Sequence, residues 1–226
     1  ILQLGVNVKT DALAQGPLSL SELKAHGHDA ILVAAGLQKS RILPVEGSAN
    51  PDVLGGLDLL RDVRLGKDVK VRDHVLVVGG GSVAVDVALT ALRLGAKKVD
   101  MVCLEKCDEM PAFPWEIEQA AEEGIVTHNS WGVKRILVDD SQKVTGIELV
   151  CCKSVFDENR RFNPSYDEST KTTMPADMIV FAIGQAPDLT GLSDTNTLKS
   201  ARSGILEVND STLETSVAGV FACGDV

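Results

Sequence analysis

The stretch VLVVGGGSVAVD (residues 75–86) places three consecutive glycines between a run of apolar, mostly β-branched residues and the start of a helical pattern. Residues 75–78 predict a buried strand, and residues 82–94 predict a helix that Gly95 ends. Residues 99–104 are typical of a second strand. A strand, a helix and a strand within about thirty residues form a βαβ unit, in which the two strands are parallel. The helix face expected to be buried consists of Ala84, Val87, Ala88, Ala91 and Leu94.

The glycines have the spacing G-x-G-x-x-A of a dinucleotide-binding turn, formed by Gly79, Gly81 and Ala84 with Gly80 between the first two. In such a turn, Gly79 permits the tight bend and Gly81 lets the main chain approach a pyrophosphate. Ala84 allows the helix to pack closely on the sheet. The alternative is a glycine-rich bend that only shortens the connection. The strands and helix lie where the motif requires them, and this context favours the dinucleotide.

The start of the helix supplies the groups that would bind the phosphates. The first N–H groups of a helix have no acceptor within it, and the positive end of the helix dipole attracts an anion. Here those donors are the N–H groups of Ser82 and Val83. The sequence therefore predicts an anion site at this point.

Glu105 follows Ala84 by 21 residues, at the predicted end of the second strand. An acidic side chain there accepts hydrogen bonds from the adenosine ribose hydroxyls. It would also repel the 2′-phosphate of NADP by about 4 kcal/mol at about 4 Å in a medium of effective dielectric 20. We therefore expect NAD(H) to be favoured over NADP(H). Lys106 leaves a second interpretation open, since its ammonium group could pair with a phosphate, and Glu105 could simply be solvated.

The remaining pattern predicts an α/β fold with a parallel sheet and one antiparallel hairpin. Two similar segments, DAILVAAG (residues 29–36) and DMIVFAIG (residues 177–184), each predict a short strand that ends at glycine and leads into a crossing between domains. VKRILVDD and VTGIELVCC (residues 133–152) predict the hairpin. A helix is expected over residues 114–123, followed by a strand near residues 125–128. Residues 157–176 are polar and are expected to form an exposed loop.

Composition excludes several classes of function. The chain of 226 residues is 44% hydrophobic, with a net charge of −10 and a pI near 4.9. This acidity argues against nucleic acid and anionic membranes as partners. The chain contains neither an apolar run of membrane-spanning length nor a signal-peptide pattern, so a cytoplasmic location is expected. The five cysteines form no Cys-x-x-Cys pair and no cluster with histidine, so no metal site is predicted.

Four segments resemble the FAD-dependent pyridine nucleotide oxidoreductases, in the branch that contains the glutamate synthase small subunit and the flavin domains of dihydropyrimidine dehydrogenase. The segments are GGGSVAVD (residues 79–86), KKVDMVCLEKCDEMPAFPWEIEQAAEEG (97–124), DMIVFAIGQAPD (177–188) and TSVAGVFACGDV (215–226). The resemblance covers nearly the whole chain. It implies a Rossmann-like NAD(P)-binding domain over residues 37–185, inserted between FAD-domain fragments at residues 1–36 and 186–226.

The resemblance also implies roles for single residues. Gly224 and Asp225 would contact FAD, with the Asp225 carboxylate on the ribityl chain, and Gly184 would line the passage between the two cofactors. Members of this branch that use NADPH carry two arginines where this chain has Leu104 and Glu105, which agrees with the preference for NADH expected from charge. The expected FAD domain is incomplete, so we expect the isolated chain to bind FAD weakly or not at all.

The function implied is hydride transfer between NADH and FAD, with electrons passed on to iron–sulfur centres or a partner subunit. The cofactors supply the chemistry, and no side chain is required as a catalytic acid or base. Two alternatives stay open at this point. One is a non-catalytic NAD-binding sensor or structural subunit. The other is a different Rossmann enzyme, which would use a nucleotide sugar or S-adenosylmethionine.

Overall fold

A computed structural model describes residues 2–10, 12, 19–189, 198–201 and 204–226. The chain divides into two compact units, Ser40–Gly184 and the combination of Ile1–Lys39 with Gln185–Val226. The corresponding boundaries predicted from sequence are 36/37 and 185/186, and the assignment of a cofactor to each domain stays a prediction. Part of the crossing between domains expected after residue 184 lies outside the described residues.

The helices, in chain order, are α1 (Leu20–Ala25), α2 (Gly56–Arg64), α3 (Ser82–Arg93) and α4 (Pro114–Glu122). The strands are β1 (Ile31–Val33), β2 (Lys39–Ser40), β3 (Val53–Gly55), β4 (His74–Val78), β5 (Lys98–Val102), β6 (Val126–His128), β7 (Trp131–Val138), β8 (Val144–Phe156), β9 (Phe162–Pro175), β10 (Met178–Phe181), β11 (Gln185–Ala186) and β12 (Val220–Ala222).

The larger unit is built on a parallel sheet in the order β3-β10-β4-β5-β6. The predicted strand–helix–strand unit is present as β4, α3 and β5. Its central strands are buried on both faces, which explains their continuous apolar sequence. The predicted α/β fold with a parallel sheet is confirmed.

Different layers cover the two faces of this sheet. On one face, side chains of α2, α3 and α4 pack against β4, β5 and β10, as shown by the cluster that includes Leu59, Val87 and Ala120. On the other face, Ile147 and Leu149 of the antiparallel sheet β7-β8-β9 pack against the same strands. The parallel sheet therefore has a helical layer on one side and a β layer on the other.

Two details of the sequence analysis were wrong. The polar stretch expected to be a loop contains the strand β9, which pairs antiparallel with β8. Most of its side chains are exposed, so it lacks the apolar alternation on which strand prediction depends. Leu94 is not on the buried face of α3, because it lies at the C-cap and is 36% exposed. Val85 and Leu89 are buried in that helix instead.

The smaller unit has its own core. Parallel strands β1 and β12 pair, and Val33, Val220 and Ala222 from these strands pack with Leu20 of α1 and with Leu206. Strands β2 and β11 form a separate two-stranded pair.

A buried carboxylate connects three strands of the parallel sheet. Asp100 on β5 is 1% exposed and accepts hydrogen bonds from Nε2 of His74 at 2.6 Å and Nε2 of His128 at 3.1 Å. Lys98 Nζ lies 2.8 Å from the same carboxylate. Burial alone would raise the pKa of Asp100, but the bonds from Lys98, His128 and His74 hold it below its usual value.

We expect Asp100→Asn to lower the free energy of unfolding at pH 7 by about 2–4 kcal/mol, because buried donors lose a charged acceptor. The folded-state pKa of Asp100 lies below the unfolded value of about 3.9. Its stabilisation is therefore present above that pH and is lost as the pH falls through the folded-state pKa. Denaturant unfolding from pH 7 to pH 3 should show the difference between wild type and variant shrinking with acid. The exposed Asp68→Asn serves as control, and a difference that does not change with pH would contradict this account.

Candidate functional site

A cleft of about 790 Å³ lies in the larger unit, where the parallel strands β4, β5 and β10 end. The carboxyl edge of a parallel sheet is where ligands bind in folds of this type. The segments that line the cleft are residues 40–43, 78–81, 102–105, 131–133 and 182–184, together with Pro111, Phe162, Pro164 and Tyr166. Its size is within the range of small-molecule sites.

Gly79 is required by the packing of the main chain. Its φ of 146° is one that L-residues rarely adopt, and a Cβ atom there would lie 2.3 Å from the carbonyl oxygen of Ala182. The Gly79 N–H donates to the Val102 carbonyl at 2.8 Å, and the Ala182 N–H donates to Val78 at 2.8 Å. The glycine turn is therefore held directly against the ends of both neighbouring strands.

Gly80 makes room for Glu105. A Cβ atom on Gly80 would lie 2.8 Å from Oε2 of Glu105 and 3.1 Å from Cβ of Cys103. The carboxylate of Glu105 thus lies beside the glycine turn, and its residue lines the cleft. The G-x-G-x-x-A spacing assigns no such role to the middle glycine.

Gly81 faces open space. No atom lies within 4 Å of the position that its Cβ would occupy, although its φ of −95° suits any residue. The N–H groups of Ala84 and Val85 donate to the Gly81 carbonyl, whereas those of Ser82 and Val83 have no acceptor among the described residues. The start of α3 therefore combines uncovered main chain at Gly81 with two N–H groups that are available as donors.

Ala84 and Lys106 are the remaining predicted residues near the glycine turn. Ala84 is fully buried, and its Cβ lies 3.3 Å from the position that a Cβ on Gly79 would occupy, so it packs against the glycine turn. The ammonium of Lys106 is exposed, lies 3.5 Å from the Glu109 carboxylate and does not line the cleft. The structure brings Gly79, Gly80, Gly81 and Glu105 together and leaves Lys106 outside.

Three further predicted residues are divided between the two units. Gly184, with φ of 104°, lines the cleft, and its carbonyl accepts from the Arg41 N–H at 3.0 Å. Gly224 and Asp225 follow β12 in the smaller unit, where both are exposed. The φ of Gly224 is 74°, and no atom lies within 4 Å of its Cβ position. The cofactor contacts expected of these residues stay predictions.

Strand β9 supplies an apolar wall that the sequence analysis missed. Phe162, Pro164 and Tyr166 line the cleft. The ring of Tyr166 packs on the main chain of Gly132, where a Cβ atom would lie 2.4 Å from Cε1 of the ring. The side chains of residues 162, 164 and 166 lie on one face of the strand, but the proline and the polar residues around them hide this short pattern in the sequence.

Among the described residues that line the cleft, Cys103 is the one cysteine. Burial and the nearby Glu105 carboxylate raise the pKa of its thiol to about 12. It is therefore uncharged at neutral pH and unreactive as a nucleophile.

The family model for pyridine nucleotide-disulphide oxidoreductases matches residues 3–226. The chain belongs to this family. Its resemblance to the branch named in the sequence analysis is confirmed by two relatives. The chain is 34% identical to the glutamate synthase [NADPH] small chain of Azospirillum brasilense, over 92% of this chain and 45% of that protein. It is 32% identical to the NAD-dependent dihydropyrimidine dehydrogenase subunit PreT of Escherichia coli K12, over 100% of this chain and 48% of that protein.

The chain spans less than half the length of these curated relatives. Other relatives are named for NADPH or NADP⁺. Among solved structures, Mycobacterium tuberculosis FprA in complex with NADPH has a TM-score of 0.68 at 16% identity, over 92% of this chain and 60% of that one. That similarity supports the fold.

The described residues provide neither a metal-binding cluster nor a membrane-spanning helix. They contain no group of three or more His, Cys, Asp or Glu side chains arranged to hold a metal ion. Among the helices that the structure describes, none combines the length and apolar character needed to cross a membrane.

We expect Gly81→Val to abolish measurable binding of NADH in titration calorimetry, because the side chain would fill the space left beside the main chain. The fold should survive with a loss of about 1 kcal/mol, the typical cost of replacing a favourable N-cap residue by an apolar one.

Gly79→Ala is the matched comparison. It should lower the free energy of unfolding by about 2–4 kcal/mol, because its Cβ would collide with a carbonyl oxygen. Normal NADH affinity in a folded Gly81→Val protein would show that the open space is not the anion site.

Proposed function

We propose that this chain is the nicotinamide-nucleotide-binding part of a flavin-dependent oxidoreductase that passes hydride between NADH and FAD. Electrons would continue to iron–sulfur centres or a partner subunit. The single observation that carries the proposal is the open main chain at Gly81, next to the available N–H groups of Ser82 and Val83. A diphosphate is the ligand that this arrangement suits. Family membership favours a pyridine nucleotide over a nucleotide sugar or S-adenosylmethionine.

The two sides of the cleft suit different parts of a dinucleotide. The glycine turn and Glu105 offer hydrogen-bonding groups for the phosphates and a ribose, whereas Phe162, Pro164 and Tyr166 offer an apolar surface for a base. Together they would fix the cofactor along the carboxyl edge of the sheet.

When both are bound, the reduced nicotinamide supplies a hydride and FAD accepts it. The task of the protein is to hold the rings in contact and to exclude water. We assign no catalytic acid or base to this chain. Gly184 lines the cleft with a conformation that suits glycine, and we propose that it leaves room for the nicotinamide beside β10.

We assign FAD contacts to Gly224 and Asp225 in the smaller unit. The open space at Gly224 and the exposure of the Asp225 side chain fit a cofactor hydroxyl or phosphate held near main chain. The chain spans less than half of its curated relatives, so the complete reaction is proposed for the flavin-containing protein rather than for this chain alone.

The preference for NADH rests on Glu105. Its carboxylate lies beside the glycine turn, where an adenosine ribose would lie if the diphosphate occupies the start of α3. A 2′-phosphate near this carboxylate would be repelled. Most of the relatives are named for NADPH or NADP⁺ and the dihydropyrimidine dehydrogenase subunit is named for NAD, so the names of the relatives do not support this preference.

Replacing Leu104 and Glu105 together by arginine should shift the preference from NADH to NADPH by at least about tenfold, because guanidinium groups bind phosphate well. The ratio of the two dissociation constants should be measured by calorimetry. Glu122→Arg combined with Glu118→Gln, at two exposed positions of α4, controls for the same change in net charge. An unchanged ratio in the double variant would remove Glu105 as the discriminator.

The proposed oxidoreductase activity is tested on the full-length protein as purified. This protein should be yellow, and NADH added without oxygen should bleach the flavin absorbance within the time of enzymatic turnover. The Gly81→Val variant should stay yellow at the same NADH concentration. A colourless protein that still binds NADH would instead support the non-catalytic sensor or structural subunit.

A further inference from the structure

The carboxylate of Glu116 contacts Ser82, which lies at the proposed anion site. Oε2 of Glu116 accepts a hydrogen bond from the Ser82 hydroxyl at 2.6 Å and another from the Phe113 N–H at 3.0 Å. Ser82 is the first residue of α3, and Phe113 is the N-cap of α4. One carboxylate oxygen therefore joins the starts of two helices.

A second bond connects the same segments. The Ala112 N–H donates to the carbonyl of Gly80 at 3.1 Å. The segment that enters α4 is thus tied to the glycine turn on one side by main chain and to the first turn of α3 by Glu116. The helix α3 has no side-chain cap of its own, since its N-cap is Gly81. Glu116 is consequently the acidic side chain that fixes Ser82 from outside the helix.

The hydrogen bond from Ser82 to Glu116 also limits which groups of Ser82 can bind a ligand. Its hydroxyl hydrogen is directed at Glu116, so the donors left for an anion are the N–H groups of Ser82 and Val83. Donors held in place before binding lose less conformational entropy when the ligand arrives. The orientation of these two N–H groups therefore depends on how firmly Ser82 is held.

We propose that Glu116 is a positioning residue for the dinucleotide, holding the first turn of α3 in the arrangement that accepts the diphosphate. This rests on the proposed function, because it needs the diphosphate at the glycine turn. What Glu116 supplies is a hydrogen-bond acceptor. Its negative charge contributes nothing favourable, since it repels the anion.

The test compares Glu116→Ala with Glu116→Gln, using calorimetric titration of NADH into each protein. Alanine removes the acceptor, and the NADH dissociation constant should rise about tenfold, the effect expected for the loss of one hydrogen bond. Glutamine keeps an acceptor oxygen and removes the charge. Its dissociation constant should equal that of the wild type or fall by up to about fivefold.

Two controls separate positioning from general effects. Glu118→Gln and Glu118→Ala change an exposed carboxylate on the same helix and should leave the NADH dissociation constant within about twofold of wild type. Adenosine, which has no phosphate, should bind Glu116→Ala and wild type equally. A loss of α4 stability alone would not produce a defect confined to the diphosphate ligand.

The results have distinct meanings. Rescue by glutamine, with a loss for NADH but not for adenosine in Glu116→Ala, supports the proposal. Equal NADH affinity in Glu116→Ala and wild type would overturn it, as would a glutamine variant as weak as the alanine variant. If wild type and all variants fail to bind NADH, the proposed function fails, and with it the premise of this inference.

Discussion

The site depends on one close approach of main chain to main chain. Gly79 lies against the carbonyl of Ala182, at a distance that leaves no space for a Cβ atom. The contact joins the end of β4 to the end of β10, and the bond from Gly79 to Val102 adds the end of β5. Because three strand ends are fixed together, the next residues, Gly80 and Gly81, are directed into the cleft.

Each of the three consecutive glycines is therefore explained by a different physical reason. The first is needed for packing within the protein, the second makes room for the carboxylate of Glu105, and the third leaves open space. Only the third is free to serve a ligand. A change at Gly79 therefore acts on stability, whereas a change at Gly81 acts on whatever occupies the cleft, although the two residues are nearly adjacent.

Much of this could be predicted from sequence, because local pattern determines it. The elements β4, α3 and β5 follow from apolar runs and glycine stops, and the parallel sheet follows from their spacing. Strand β9 could not be found in this way, since its side chains are mostly exposed and its order comes from pairing with β8. The acceptor role of Glu116 and the buried Asp100 network also depend on distant partners. A local sequence pattern does not predict contacts between residues that are distant in the chain.

The central claim is that a nucleotide diphosphate binds to the main chain at the start of α3. Amide chemical shifts of the protein, followed by NMR during titration with NADH, test it most directly. The account predicts that the largest shifts occur at the amides of Gly81, Ser82 and Val83, with smaller changes at Glu105. Saturable binding that leaves these three amides unchanged and moves signals elsewhere would contradict it.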